Sequence, residues 1–270
     1  MDNKINFKSL SEYSKSELNK YKHISSIKYY EYIKDITSDI HTNCGVDYIC
    51  VGLFPALGSP YFISNMSEWS IPYYENNLFN FDSLTSPRTN LILGKDVYFQ
   101  GLLQLTPEQQ YIYNICSKFG IHESYAIFRA SIEIEVMILA HTAIAPIDPK
   151  THYNETKEEF LTFASTFIYN LKDKIANEHA YLGQTKFIQD YSYMKEILRK
   201  ETYSYSLAPR EKEVLYWAAN GLNAKDTSKA IGVTPRVVEK YLASAQKRLL
   251  CKNKLHTVMK AKSLGLLDSF

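Results

Sequence analysis

The chain has 270 residues, a net charge of +2 and 45% hydrophobic residues, enough to bury a core and too many for a disordered polymer. Its four cysteines, Cys44, Cys50, Cys116 and Cys251, form no CxxC pair, which excludes a zinc-ribbon spacing and predicts reduced thiols in a cytoplasmic protein. The opening MDNKINFKSL lacks the apolar core of a secretory signal. No apolar run reaches the ~20 residues of a membrane span, so no membrane partner is expected.

Residues 1–24 are polar and show no core pattern beyond a short helix. From Ile24 to His41, Ile27, Tyr30, Ile33 and Ile36 recur every third residue, which predicts a helix. Val46–Leu53 alternates and is rich in β-formers; with Tyr61–Asn65 across the Gly58-Ser59-Pro60 turn it reads as a hairpin. A short helix over Glu68–Asn77 leads into an aromatic loop with Phe79 and Phe81. Thr106, ahead of Pro107, reads as the cap of a helix ending near Phe119-Gly120. Tyr125–Arg129 and Ile132–His141 read as strands, the second running into a wholly apolar stretch. Asn154 to about Leu182 reads as one long helix stopped by Gly183, and residues 190–206 as the linker to a second domain. The expected first domain, residues 1–189, is therefore α/β: an α-β-α sandwich with an antiparallel sheet.

The charge is unevenly divided. Residues 207–270 carry 12 Lys/Arg against 5 Asp/Glu; the rest carry 19 against 24. A small basic domain behind an acidic body points to a polyanion partner for the C-terminus alone. In that domain Asn223 and Asp226 read as a helix start and Gly232 as a left-handed stop. Thr234 then caps a second helix with Pro235 at its first position. Helix, glycine turn, helix is the layout of a helix-turn-helix unit. On the second helix Val238, Leu242, Ala245 and Leu249 make one apolar stripe. Arg236, Glu239, Lys240, Ala243 and Lys247 face the other way. At ~1.5 Å per residue such a helix is ~24 Å long and suits a DNA major groove.

Enzyme signatures are missing. The seven histidines are dispersed, without HExxH spacing, and GxGxxG and GxSxG do not occur. Glu133 and Glu135 read as one solvated strand edge rather than a catalytic pair. No catalytic residue, metal or cofactor is expected. A phospho-acceptor receiver domain would show parallel βα units, whereas these strands read as hairpins.

Residues Leu207–Leu267, opening LAPREKEVL and continuing through Gly221, AKDTSKAIGVTPRVVEKYL and KRLLCKNKLHTVMKAKSLGLL, resemble the C-terminal domain of LuxR-type transcription regulators. Glu211, Leu215 and Gly221 match its hallmark positions; Ala208 stands for a capping Thr and Tyr241 for a common His. The resemblance implies that Glu239, Lys240 and Ala243 are the base-reading positions. Lys225, Thr234, Arg236 and Lys247 suit phosphate oxygens.

The N-terminal part resembles the same family's autoinducer-binding domain. Trp69, Tyr73 and Asp82 reproduce its W-x3-Y-x8-D spacing. The resemblance implies an acyl-homoserine-lactone-type signal, with the Trp69 indole on the lactone carbonyl, Asp82 on the ligand amide and Tyr73 lining the pocket. Tyr61, Asn65, Phe99 and Ser124 complete the implied contact set. Asn65 stands where many members have Tyr, Ser83 replaces a Pro, Phe99 or Val97 lies near a usual second Trp, and Ser124 replaces a Gly. Two readings follow. One is a signal-gated, double-stranded-DNA-binding regulator acting as a homodimer, with RNA polymerase as a further partner. The other is the same regulator with an N-terminal domain that binds a different ligand, or serves only dimerisation or docking.

Overall fold

The computed structural model describes residues 10–55, 58–80, 82, 97–98, 107–122, 124–131, 133–200, 207–263 and 266–267. The chain divides into two compact units, the larger built from most residues up to 201 and the smaller essentially from 202 onward.

The larger unit is organised on a five-stranded sheet. Its strands are β1 (Tyr48–Pro55), β2 (Tyr61–Ser64), β3 (Val97–Tyr98), β4 (Ser124–Ala130) and β5 (Ile134–His141), in the order β2-β1-β5-β4-β3. The β1–β2, β1–β5 and β3–β4 pairs are antiparallel, as the hairpin pattern predicts. Register follows side-chain alternation. Val51 faces Ile63 and Ile138, and Leu53 faces Tyr61 and Val136, all on one side; Cys50 pairs Ser64 and Leu139 on the other.

The first side is the main core. Four short helices, α1 (Lys15–Asn19), α2 (Ser25–Lys28), α3 (Tyr30–Ile36) and α4 (Ile40–Cys44), precede the sheet, and α3 and α4 contribute Ile33, Ile40 and Cys44 to this core. On the second side lie α5 (Ser67–Glu75) and α6 (Pro107–Cys116), with Trp69, Ile112 and Ile115 buried. The main core is closed by α7 (Pro149–Asn170), α8 (Lys172–Glu178), α9 (Ala180–Gln184), α10 (Lys186–Gln189) and α11 (Tyr191–Arg199). Helices on both faces of an antiparallel sheet make the expected α-β-α sandwich.

Three expectations change. The helix from Asn154 starts earlier, at Pro149, because Asp148 accepts the Thr151 N–H and caps it. It breaks at Leu171 and again at His179, whose extended backbone (φ −139°, ψ 92°) ends α8. Gly183 stops nothing: it lies inside α9, where a Cβ would come within 2.6 Å of Ala176 Cβ, so it permits a close helix contact. The linker read over 190–206 starts too early. Asp190 caps α11, and Met194, Ile197 and Leu198 pack into the main core. The buried Arg129 donates from Nε to the Leu198 carbonyl at 2.7 Å. The i, i+3, i+4 stripe was hidden by flanking tyrosines. The helix read over Ile24–His41 is interrupted at Tyr29 and Thr37. The Thr106 cap lies outside the described residues.

The smaller unit is all-helical: α12 (Pro209–Ala219), α13 (Ala224–Ile231), α14 (Pro235–Arg248) and α15 (Lys254–Ser263). Val214, Leu215, Ile231, Val238, Leu242, Ala245 and Leu249 form its core. Each buried Val, Leu or Ile among them contributes about 1.5–3 kcal/mol relative to exposure, set against the ordering entropy of a small unit.

Candidate functional sites: an aromatic cavity and a cationic helix face

In the smaller unit, Asn223 Oδ1 accepts the Asp226 N–H at 3.0 Å and starts α13; Gly232 at φ +70° ends it. Such a φ is open to glycine at no steric cost. Thr234 takes the N-cap position of α14, but its side chain makes no capping bond; Pro235 supplies the preset first turn. With Val238, Leu242, Ala245 and Leu249 buried, the opposite face is fixed toward solvent. Thr234, Arg236, Glu239, Lys240, Ala243 and Lys247 are all exposed, as is Lys225 on α13. Arg236, Lys240 and Lys247 make no ion pair among the described residues. A row of uncompensated cations on one helix face is what a polyanion requires.

Glu211 holds this face in place from behind. It is 3% exposed. One carboxylate oxygen accepts the Ala208 N–H at 2.7 Å; the other accepts the Ser244 hydroxyl at 2.6 Å and lies 3.1 Å from Arg248 Nε. The start of α12 is thereby tied to the last turns of α14, without a capping side chain at Ala208.

In the larger unit a cavity of about 480 Å³ lies between the sheet and α5 and α6. Trp69 and Tyr73 are one turn apart on α5, so both reach it. Trp69 is buried, its ring 5.6 Å from Tyr73 and 5.2 Å from Phe119. Asp82 lines the same cavity and accepts the Tyr73 hydroxyl at 2.8 Å. Burial, followed by the Asp82 charge, pushes the Tyr73 phenol far above its usual range. The same two causes push the thiols of Cys50 and Cys116, also in the wall, up to about 12. Met66, Ile112, Met137 and Leu139 supply apolar wall.

Ser124 lines the cavity as expected, and brings a residue the sequence did not single out: its hydroxyl lies 2.7 Å from His141 Nδ1. Strand parity alone could have found His141, two residues after Leu139 on β5.

Two expected contacts fall elsewhere. Tyr61 has the parity of Ile63 and faces the main core; its hydroxyl donates to Glu178 Oε2 at 3.0 Å. Asn65 does not line this cavity. Its Oδ1 accepts the Ile49 N–H at 2.8 Å and its Nδ2 donates to the Asp47 carbonyl at 3.0 Å, so both ends of the amide close the β1–β2 edge. Phe99, Ser83 and Phe81 lie outside the described residues, and no helix among the described residues is long and apolar enough to cross a membrane.

Comparison with known proteins adds the following. Residues 205–261 match the family described as bacterial regulatory proteins, luxR family. The transcriptional activator protein LuxR of Aliivibrio fischeri is 34% identical over 77 residues, 28% of this chain and 31% of that protein. The quorum sensing-dependent transcriptional regulator RpaR of Rhodopseudomonas palustris is 41% identical over 61 residues, 23% of this chain and 25% of its own. The transcriptional activator protein AnoR of Acinetobacter nosocomialis is 37% identical over 65 residues, 24% and 27%. The chain thus matches less than a third of the length of each of these relatives. A crystal structure of Escherichia coli SdiA aligns over 92% of this chain and 98% of its own, at 14% identity and a TM-score of 0.40.

Proposed function

We propose that this chain, whose residues 205–261 belong to the luxR family of bacterial regulatory proteins, is a cytoplasmic transcription regulator. It binds duplex DNA through α14 and is controlled by a small signal molecule held in the larger unit. The observation that carries the DNA reading is the exposed row Arg236, Lys240 and Lys247 on a helix whose other face is buried. Lys225 and Thr234 suit phosphate; Glu239, Lys240 and Ala243 sit where base edges would lie. One such helix reads few base pairs, so a homodimer on two half-sites is the working form. Leu255 and Met259, 71% and 59% exposed on α15, are a surface for that pairing, and RNA polymerase is the further partner of an activator.

The aromatic cavity, with the Trp69 ring and the Asp82 carboxylate in one wall, supports a signal of acyl-homoserine-lactone type: an apolar tail with one amide and one carbonyl. The second reading, a different ligand, draws on Asn65, which hydrogen-bonds the backbone of Ile49 and Asp47 and is absent from the lining of this cavity.

The deciding experiment has two parts. Fluorescence anisotropy with duplex DNA tests the first: affinity that fails to fall with added salt, or that Lys240→Ala leaves unchanged, rejects it. Thermal unfolding with N-octanoyl-homoserine lactone tests the second. Stabilisation by the lactone that disappears in Trp69→Ala supports the lactone; no stabilisation at any concentration favours the second reading.

A further inference from the structure

We propose that Phe62, Gly52 and Met137, side by side on three strands, form the end stop of the aromatic cavity, and that Gly52, although it does not line the cavity, fixes how long an apolar tail the cavity accepts. This rests on the cavity being a ligand site, and it adds a limit on the ligand that Trp69 and Asp82 do not set.

Strand register orders the cavity wall. Tyr48 pairs with His141, Cys50 with Ser64 and Leu139, and Gly52 with Phe62 and Met137. These three rows lie on one face of the sheet, each about 6.6–6.8 Å from the next. Trp69 stands by the first row, where it shares a neighbouring recess with Tyr48 and Phe119. Asp82 stands by the second, where its charge adds to burial in raising the Cys50 thiol. A ligand whose polar groups span Trp69 and Asp82 therefore sends its apolar part toward the third row.

The third row closes the wall. Among the described residues, Met137 is the last of β5 to line the cavity, and β1 contributes nothing beyond Cys50. Gly52 is buried because its neighbours meet over it. A Cβ added there would lie 2.9 Å from Phe62 Cε1, 3.0 Å from Met137 Cε and 3.1 Å from Phe54 Cε2. Phe54 in turn backs Phe62 edge to face, with ring centres 5.5 Å apart. The missing side chain is thus what lets a ring and a thioether close over the strand. Gly52 is not among the glycines of positive φ, so alanine suits its backbone. The three crowded atoms are side-chain ends, and the sheet lies beneath them. A methyl group there moves Phe62 and Met137 outward, into the cavity, and leaves the strand in place.

The test titrates the full chain with two graded series, N-acyl-homoserine lactones from butanoyl to dodecanoyl and straight-chain 1-alkanols over the same lengths. In the wild type, affinity should rise about fourfold per added methylene up to a limiting length and fall beyond it. Gly52→Ala should lower that limit by about one or two carbons. Met137→Ala should raise it by about two; because it only removes atoms, it serves if the Gly52 variant fails to fold. A variant that merely loosened the unit would weaken all lengths alike and leave the limit where it was. A limit that a folded Gly52→Ala or Met137→Ala leaves in place, affinity that rises through the longest member, or no binding by either series overturns the proposal. The two readings fail separately. Alkanols with a limit that shifts, beside lactones that do not bind, keep the end stop and reject the lactone. Lactones that bind through Trp69 with an unshifted limit keep the lactone and reject the end stop.

Discussion

Tyr73 donates its hydroxyl hydrogen to Asp82 Oδ2 across 2.8 Å, so the carboxylate that a ligand amide would use is already aimed by a neighbour in the same wall. A group held in this way needs little reorganisation when a ligand arrives. Tyr73→Phe removes that bond and leaves a carboxylate beside apolar wall. The larger unit should lose about 1–2 kcal/mol, read by urea unfolding. The chain has two tryptophans, Trp69 in this unit and Trp217 in the other, so Trp217→Phe isolates the Trp69 signal. Asp82→Asn should cost less, because the amide oxygen still accepts from Tyr73. A larger loss in Asp82→Asn than in Tyr73→Phe would show that the pair does not act this way.

What could be read from the residues alone divides along physical lines. The cationic face of α14 was legible because Gly232 and Pro235 mark both ends of the turn and the apolar stripe Val238, Leu242, Ala245, Leu249 fixes which side is buried. The sheet was legible from alternation. The position of Tyr61 near the contact set does not state strand parity, and parity turns its hydroxyl toward Glu178. Nor does the sequence show that the Asn65 amide replaces a backbone partner, here bridging Asp47 and Ile49. The breaks at Leu171 and His179 carry no proline or stop glycine; at His179 the ring itself caps the next helix, Nδ1 accepting the Leu182 N–H. In the same way Gly183 looked like a stop but serves contact with Ala176.

His141 makes the stability of the larger unit depend on pH. Burial lowers its pKa from 6.5 to about 4 in the folded chain. Between those values the unfolded chain binds the proton and the folded one does not, so stability rises with pH through this window and is complete above about 6.5. From pH 7 to pH 4 the residue should remove about 3 kcal/mol. Carboxylates titrate there too, so the measured quantity is the difference between the wild-type profile and that of His141→Phe. Parallel profiles would mean that the imidazole is accessible to protons in the folded chain.

Glu211 joins Ala208, Ser244 and Arg248 through one buried carboxylate. Glu211→Ala loses two hydrogen bonds to a charged acceptor, and Arg248, half exposed, returns to water. The smaller unit should lose about 2–3 kcal/mol, a large share for a domain of its size. Calorimetry of the full chain should show this unit melting earlier with the larger unit unchanged. Glu211→Gln should recover part of the loss, since its amide oxygen still accepts one of the two bonds. An unshifted first transition in Glu211→Ala would remove the carboxylate from any structural role.

Two neighbours on α14 separate affinity from selectivity. Arg236 sits in the first turn, exposed and without an ion pair among the described residues, where a phosphate oxygen would meet it. Glu239 lies one turn later on the same face and is an acceptor, suited to a cytosine amino group. Arg236→Ala should weaken binding to every duplex alike and reduce the slope of log affinity against log salt by about 1. Glu239→Ala should leave that slope unchanged, and removing a negative charge should raise affinity for unrelated duplexes while relaxing selection at one base pair. Both are measured by anisotropy on a selected site and its single-base variants at several salt concentrations. If Arg236→Ala changed selectivity and Glu239→Ala did not, α14 would have to lie in the groove rotated by about 60°, the angle between the two residues around the helix, from the orientation inferred from its buried stripe.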